Sequence, residues 1–227
     1  MKKKDLKRSR EMRLKRDGEY KLDTLFKNRE ALIKSILPIK NKYDYEEMFK
    51  EYYDLLKEEK YDGFSVPTNI PIGKNLEYFD KQIFITDDSY YKVVWFIDQL
   101  KEQIKEYGIK PVDVPIDVLV WASGTNEINP THIENVALND EPVIVGMFPC
   151  LTPPLVLIDG NHRVLAKAMK GNKTVKAYML QPQELVDTIG SEYIRKIAIM
   201  HHNIYGMLNY MAGNLSEEAF KKGLLVV

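Results

Sequence analysis

Apolar residues recur at helical spacing over residues 20–37, where Leu22, Leu25, Phe26, Leu32, Ile33 and Ile36 share one face before Pro38 stops the run. Residues 44–60 repeat the pattern, with Tyr45, Met48, Phe49, Tyr52, Tyr53, Leu55 and Leu56 along one side. That period marks packing aromatics rather than a platform for stacking bases. Turn formers crowd residues 62–75, DGFSVPTNIPIGKN, which reads as a loop. A short strand is expected over 82–86, followed by a helix over 88–107 that turns Tyr91, Val94, Trp95, Ile97, Leu100, Ile104 and Tyr107 inward and stops at Gly108.

From Pro111 the texture changes. The run VDVPIDVLVWA, residues 112–122, predicts a strand, and a polar loop leads from it to a short helix near Pro130, where proline suits a first helical position. Strands are expected over 141–148, 155–159 and 174–180, with a helix over 163–170 between the last two. Helices over 183–189, 191–211 and 216–222 follow. Strand and helix alternate within about seventy residues, too few for a full doubly wound sheet. The expected class is α+β, with a basic arm at 1–16, a helical region at 17–110, a small mixed-sheet core at 111–182 and C-terminal helices at 183–227.

Charge alters this picture at one place. The 227-residue chain is formally neutral, yet residues 1–16 hold nine Lys or Arg against Asp5 and Glu11, a net of +7. The remainder, with 24 basic and 31 acidic residues, therefore carries −7. Such an arm is either a solvated helix end or a contact for phosphates or an acidic surface, and DNA binding would have to use it or a local patch, because the acidic body is a poor partner overall. Cys150 is the only cysteine, which precludes an intramolecular disulfide and fits a reducing compartment. With no long apolar run and no apolar stretch after the basic start, the expected setting is cytoplasmic, without membrane contact.

The chemistry concentrates in LVLIDGNHRVLAKAMKG, residues 155–171, where a strand hands over to a helix through DGNHR. A helix start presents unsatisfied N–H groups and partial positive charge, which suits an anion. Arg163 adds a fork of donors that matches phosphate and His162 another donor, while Gly160 allows a tight turn and close approach. Asp159 has three open roles: capping the helix, holding a magnesium ion, or taking a proton from a hydroxyl. Elsewhere, His132 reads as a helix-surface or cap residue and Cys150 as a small apolar group. His201 and His202 are adjacent on a helix, about 100° apart, and so do not form an i, i+4 metal pair.

The run from Ile116 to Leu180, above all IDGNHRVLAKAMKG followed by TVKAYML, resembles the ParB/sulfiredoxin superfamily. Its members lead a strand into a short glycine-containing signature with HR or RR, then a helix, a glycine and a final strand. The resemblance implies that ATP or CTP phosphates bind at the helix start, through Gly160, Asn161, His162 and Arg163. Asn161 stands where sulfiredoxins carry their catalytic cysteine, so reductase chemistry is not expected. The partitioning proteins carry a GERR-type signature that this chain lacks, and no helix-turn-helix half follows. The free-serine kinases of the superfamily, with a DGHHR-like signature, are the nearest by motif, and their loop glutamate base corresponds to Glu127 in GTNEINP.

The resemblance thus implies a phosphotransferase or nucleotide hydrolase acting on a small hydroxyl-bearing acceptor. Glu127 would be the base, Asp159 would position the hydroxyl or Mg2+, and the corner would hold the phosphates. Two other classes remain open: a ParB-like DNA-binding protein or nuclease using the arm, and a non-catalytic regulatory protein that binds a ligand.

Overall fold

The computed structural model describes Phe26 and residues 29–57, 77–86, 89–123, 139–148, 151 and 154–227. The basic arm, the loop at 62–75, Glu127, His132, the helix expected near Pro130 and Cys150 lie outside the described residues. Helices α1 (Arg29–Lys34) and α2 (Tyr45–Lys57) precede an antiparallel hairpin of β1 (Tyr78–Thr86) and β2 (Ser89–Phe96), and α3 (Ile97–Glu106) follows. Then come β3 (Val112–Pro115), α4 (Ile116–Ser123), β4 (Val143–Met147), β5 (Leu155–Asp159), α5 (Asn161–Met169) and β6 (Thr174–Leu180). Three helices end the chain: α6 (Pro182–Val186), α7 (Glu192–Met211) and α8 (Glu217–Gly223). The α+β class stands, and no described helix is long and apolar enough to cross a membrane.

Strands β3 to β6 form one mixed sheet in the order β3-β6-β4-β5. β3 runs antiparallel to β6, β6 parallel to β4, and β4 antiparallel to β5. Alternation divides the sheet into two faces, because successive side chains point to opposite sides of a strand. Val143, Val145, Leu157, Val175 and Ala177 pack on one side with Leu119 and Ala122 of α4 and Val164 of α5. Ile144, Val156, Ile158 and Leu180 face the other way, into a larger core with Leu185 of α6, Ile197 and Met200 of α7, and the aromatics of α2 and the hairpin.

Two elements differ from the hydrophobic reading. Residues 89–96 form a strand, not the first half of a helix over 88–107. In SYYKVVWF nearly every position is aromatic or β-branched, so Tyr91, Val94 and Trp95 fit a helical face while Tyr91, Val93 and Trp95 equally fit one face of a strand. Pairing with β1 decides it: Phe79 opposes Trp95 and Ile83 opposes Tyr91. The fully buried Trp95 then donates its Nε1–H to the Leu185 carbonyl at 3.1 Å, tying the hairpin to α6. The second difference is in 112–122, where only Val112–Pro115 is strand and IDVLVWAS is helix. A short continuous apolar run suits a buried strand and a buried helix alike. Here α4 covers the sheet with Leu119 and Ala122.

Candidate functional site

The corner between β5 and α5 depends on one glycine. Gly160 has φ 95° and occupies the N-cap of α5, which starts at Asn161, two residues before the expected position. A Cβ there would lie 2.4 Å from Val143 Cγ1 and 3.1 Å from Arg163 Nε, so space and backbone both exclude larger residues. The first helical bond runs from the Val164 N–H to the Gly160 carbonyl, 2.9 Å, and no side chain caps the helix. Asp159 therefore does not serve as the cap.

Its carboxylate instead meets Arg163. Arg163 Nη2 donates to Asp159 Oδ2 at 2.8 Å and Nη1 donates to Glu141 Oε2 at 3.1 Å, with the Arg163 side chain only 8% exposed. One turn further along α5, Lys167 Nζ reaches Asp140 Oδ1 at 2.6 Å. The acidic pair Asp140–Glu141 just before β4 is thus matched to two cations at i, i+4 spacing on α5. Sequence reading overlooked both carboxylates. The usable signal was the spacing of Arg163 and Lys167 on one helical face, opposite an acidic pair that opens the adjacent strand.

The structure brings Asp159, Gly160, Asn161, His162 and Arg163 together within the corner. Asn161 and His162 are partly exposed in the first turn, and Asn161 Nδ2 lies 3.4 Å from the Leu157 carbonyl. The Arg163 fork, by contrast, turns inward onto carboxylates. Glu127 falls among residues 124–138, which lie outside the described residues, so its relation to the corner is not described. No group of three or more His, Cys, Asp or Glu able to hold a metal occurs among the described residues.

The histidines of α7 serve packing. His201 Nδ1 is hydrogen-bonded to the Tyr91 hydroxyl at 3.0 Å, and burial with its neighbour His202 pushes its pKa down to about 4. His202 donates from Nε2 to the Gly223 carbonyl at 3.0 Å, and burial lowers its pKa as well.

Comparison with known proteins finds no match for this chain among family models, curated proteins or solved structures.

Proposed function

We propose that the start of α5 holds the phosphate groups of a nucleotide, ATP or CTP, and that the chain transfers a phosphoryl group to a small hydroxyl-bearing acceptor or to water. One observation carries the reading: α5 begins on a left-handed glycine and no N-cap side chain accepts from its first turn, as suits a helix start that receives an anion. The signature's resemblance to the ParB/sulfiredoxin superfamily adds the nucleotide. The lone cysteine and the use of ATP or CTP both suit a cytoplasmic setting.

In this reading the backbone of residues 161–163 and the His162 ring bind phosphate oxygens, and Asn161 donates to one of them. Arg163 is first a positioning residue, holding the corner against β4 and β5. Its partner Glu141 has a side chain 71% exposed, so an incoming phosphate can displace that carboxylate and take over Nη1. Asp159 keeps Oδ2 on Arg163, which leaves Oδ1 for a magnesium ion or the acceptor hydroxyl. Magnesium needs no more than one or two carboxylates beside phosphate oxygens and water, so a single oxygen fits; when bound, the ion supplies charge neutralisation at the phosphates. Glu127 takes the acceptor's proton as its oxygen attacks the terminal phosphorus, and the nucleoside diphosphate leaves with the bridging oxygen.

Calorimetric titration of wild type and His162→Ala with ATP, CTP and ADP in magnesium, alongside phosphorus NMR of products, tests the reading. Wild type should bind saturably, His162→Ala should bind roughly tenfold more weakly, and Glu127→Gln should bind normally without turnover. No saturable binding at millimolar nucleotide, or equal affinity in His162→Ala, would sink it.

A further inference from the structure

A second site lies at the far end of the same sheet. β4 and β6 run parallel, with Gly146 beside Leu180, and beyond their ends Met147 and Gln181 line a cavity of about 590 Å3. Pro182 and Gln183 of α6, the 202–209 stretch of α7, α8 and the residues after it complete the wall. That volume falls in the range of small-molecule sites, ~300–1,000 Å3. The cavity shares no residue with the α5 corner. Asp159 pairs with Ile144, at the opposite end of β4 from Met147, so the two sites sit at opposite ends of the sheet.

The wall is held in place by side chains. Asn203 on α7 donates from Nδ2 to the Leu225 carbonyl and accepts from the Leu225 N–H through Oδ1, both at 2.8 Å. The His202–Gly223 bond fixes the end of α8 one residue along α7. The floor is low because α7 carries Gly206 in mid-helix. A Cβ there would meet only Phe220, at 3.6 Å, an ordinary contact, and φ is not in the left-handed region. Packing therefore does not require glycine, although glycine inside a helix costs about 1 kcal/mol relative to alanine. Gly206 keeps the cavity open.

Its chemistry selects a ligand class. Met147, Pro182, Leu215, Ala219 and Leu224 provide an aliphatic lining, with Met147 adaptable in shape. The lining contains Lys222 and no carboxylate. Lys222 makes no ion pair among the described residues, whereas its neighbour Lys221 is paired with Glu217. His202 is 8% exposed, and its Nδ1 has no hydrogen-bond partner among the described residues. That nitrogen is sealed from the cavity and, with Nε2 donating to Gly223, carries no proton, so the charged end of a ligand is held at Lys222 instead.

We infer that this cavity binds an aliphatic monocarboxylate, its chain over Gly206 and its carboxylate at Lys222. Calorimetric titration of the full chain with octanoate, octan-1-ol and octyltrimethylammonium tests it, repeated on Gly206→Leu and Lys222→Gln. Octanoate should bind saturably below millimolar concentration, with octanol at least several-fold weaker and the cation without detectable binding. Gly206→Leu, which fills the floor from a Cβ that fits, should lose at least tenfold in affinity while melting no lower than wild type. Lys222→Gln, which touches no packing, should lose roughly fivefold for octanoate and nothing for octanol, the scale of an exposed ion pair. Failure of octanoate to saturate, tighter or equal binding of octanol or the cation, or unchanged octanoate affinity in either variant would overturn the inference.

Discussion

At one end of the four-stranded sheet, β5 turns into α5 through Gly160, with Arg163 and Lys167 set against Asp159, Glu141 and Asp140. At the other end, β4 and β6 run out beneath α7 and α8 at a cavity lined mainly by apolar groups, with Lys222 and no carboxylate. The first end is crowded: a methyl group added at residue 160 would collide with Val143. The second is roomy, with the Cβ position at residue 206 in ordinary contact only. One sheet therefore carries a corner whose shape is over-determined and a pocket whose shape is under-filled. The contrast teaches that glycine marks two different needs here, a backbone that must turn and a wall that must stay low.

Gly160→Ala is the strongest way to break the crowded end. A left-handed backbone costs a non-glycine residue of order 1–3 kcal/mol, and the overlap with Val143 adds a cost typical of overpacking, ~1–3 kcal/mol. We expect a loss of about 3–5 kcal/mol by urea denaturation, together with loss of any nucleotide binding. A loss under about 1 kcal/mol would mean that the corner relaxes easily and is not over-determined.

Acid should loosen the α7 side of the sheet through His201. Its folded pKa lies near 4, below the usual unfolded value of about 6.5, so the unfolded chain takes up the proton first as pH falls. The stabilisation is complete above pH ~6.5 and is lost as pH drops towards ~4. At pH ~4.5 this amounts to about 2–3 kcal/mol. His201→Asn keeps a polar partner for the Tyr91 hydroxyl but does not titrate, so its stability should fall less than that of wild type between pH ~7.5 and ~4.5. Parallel pH profiles for the two proteins would remove His201 as the cause.

The same contrast explains what could be read from residues alone. The pattern of β4, β5, α5 and β6 was legible because polar turn residues separate short apolar runs of distinct period, and DGNHR stood out as a charged break between two of them. α7 and α8 were legible too, through serine N-caps at Ser191 and Ser216 whose hydroxyls accept from the Ile194 and Ala219 N–H groups. β2 and α4 were not, because SYYKVVWF and IDVLVWAS are mostly apolar, their few polar residues mark neither period clearly, and only their partners choose between helix and strand. Arg163 was recognised as a donor fork, but its orientation depends on Glu141, 22 positions away and brought alongside by the β4–β5 pairing. The cavity left no trace in the pattern. It arises where Met147, Gly206 and Lys222 meet, and no local period connects them.

Within the charged corner, the two carboxylates on Arg163 should differ. Asp159 is 19% exposed and Glu141 71% exposed in their side chains. Removing the buried partner leaves the guanidinium enclosed with one solvated carboxylate, so Asp159→Ala should cost about 2 kcal/mol, below the range for a fully buried pair. Glu141→Gln should cost ~0.5 kcal/mol or less, as exposed pairs do. If Glu141 competes with phosphate for Nη1, the same variant should bind nucleotide a few-fold more tightly. Equal costs for the two substitutions would show that exposure does not rank them, and unchanged nucleotide affinity in Glu141→Gln would confine Arg163 to a positioning role.

A small expected effect is also the sharpest against the comparison. Gly206→Ala makes the same chemical change as Gly160→Ala, on the same chain, and should have the opposite sign. The new Cβ meets only Phe220 at 3.6 Å, and alanine restores helix propensity worth up to about 1 kcal/mol. A gain of ~0.5–1 kcal/mol in urea denaturation is therefore expected, reduced only by whatever tightening the Phe220 contact demands. A glycine whose replacement stabilises the fold is retained for something other than folding, which is what an open pocket wall requires. If Gly206→Ala destabilises by ~1 kcal/mol or more, then Phe220 cannot yield, both glycines answer to packing, and the difference between the two ends of the sheet disappears.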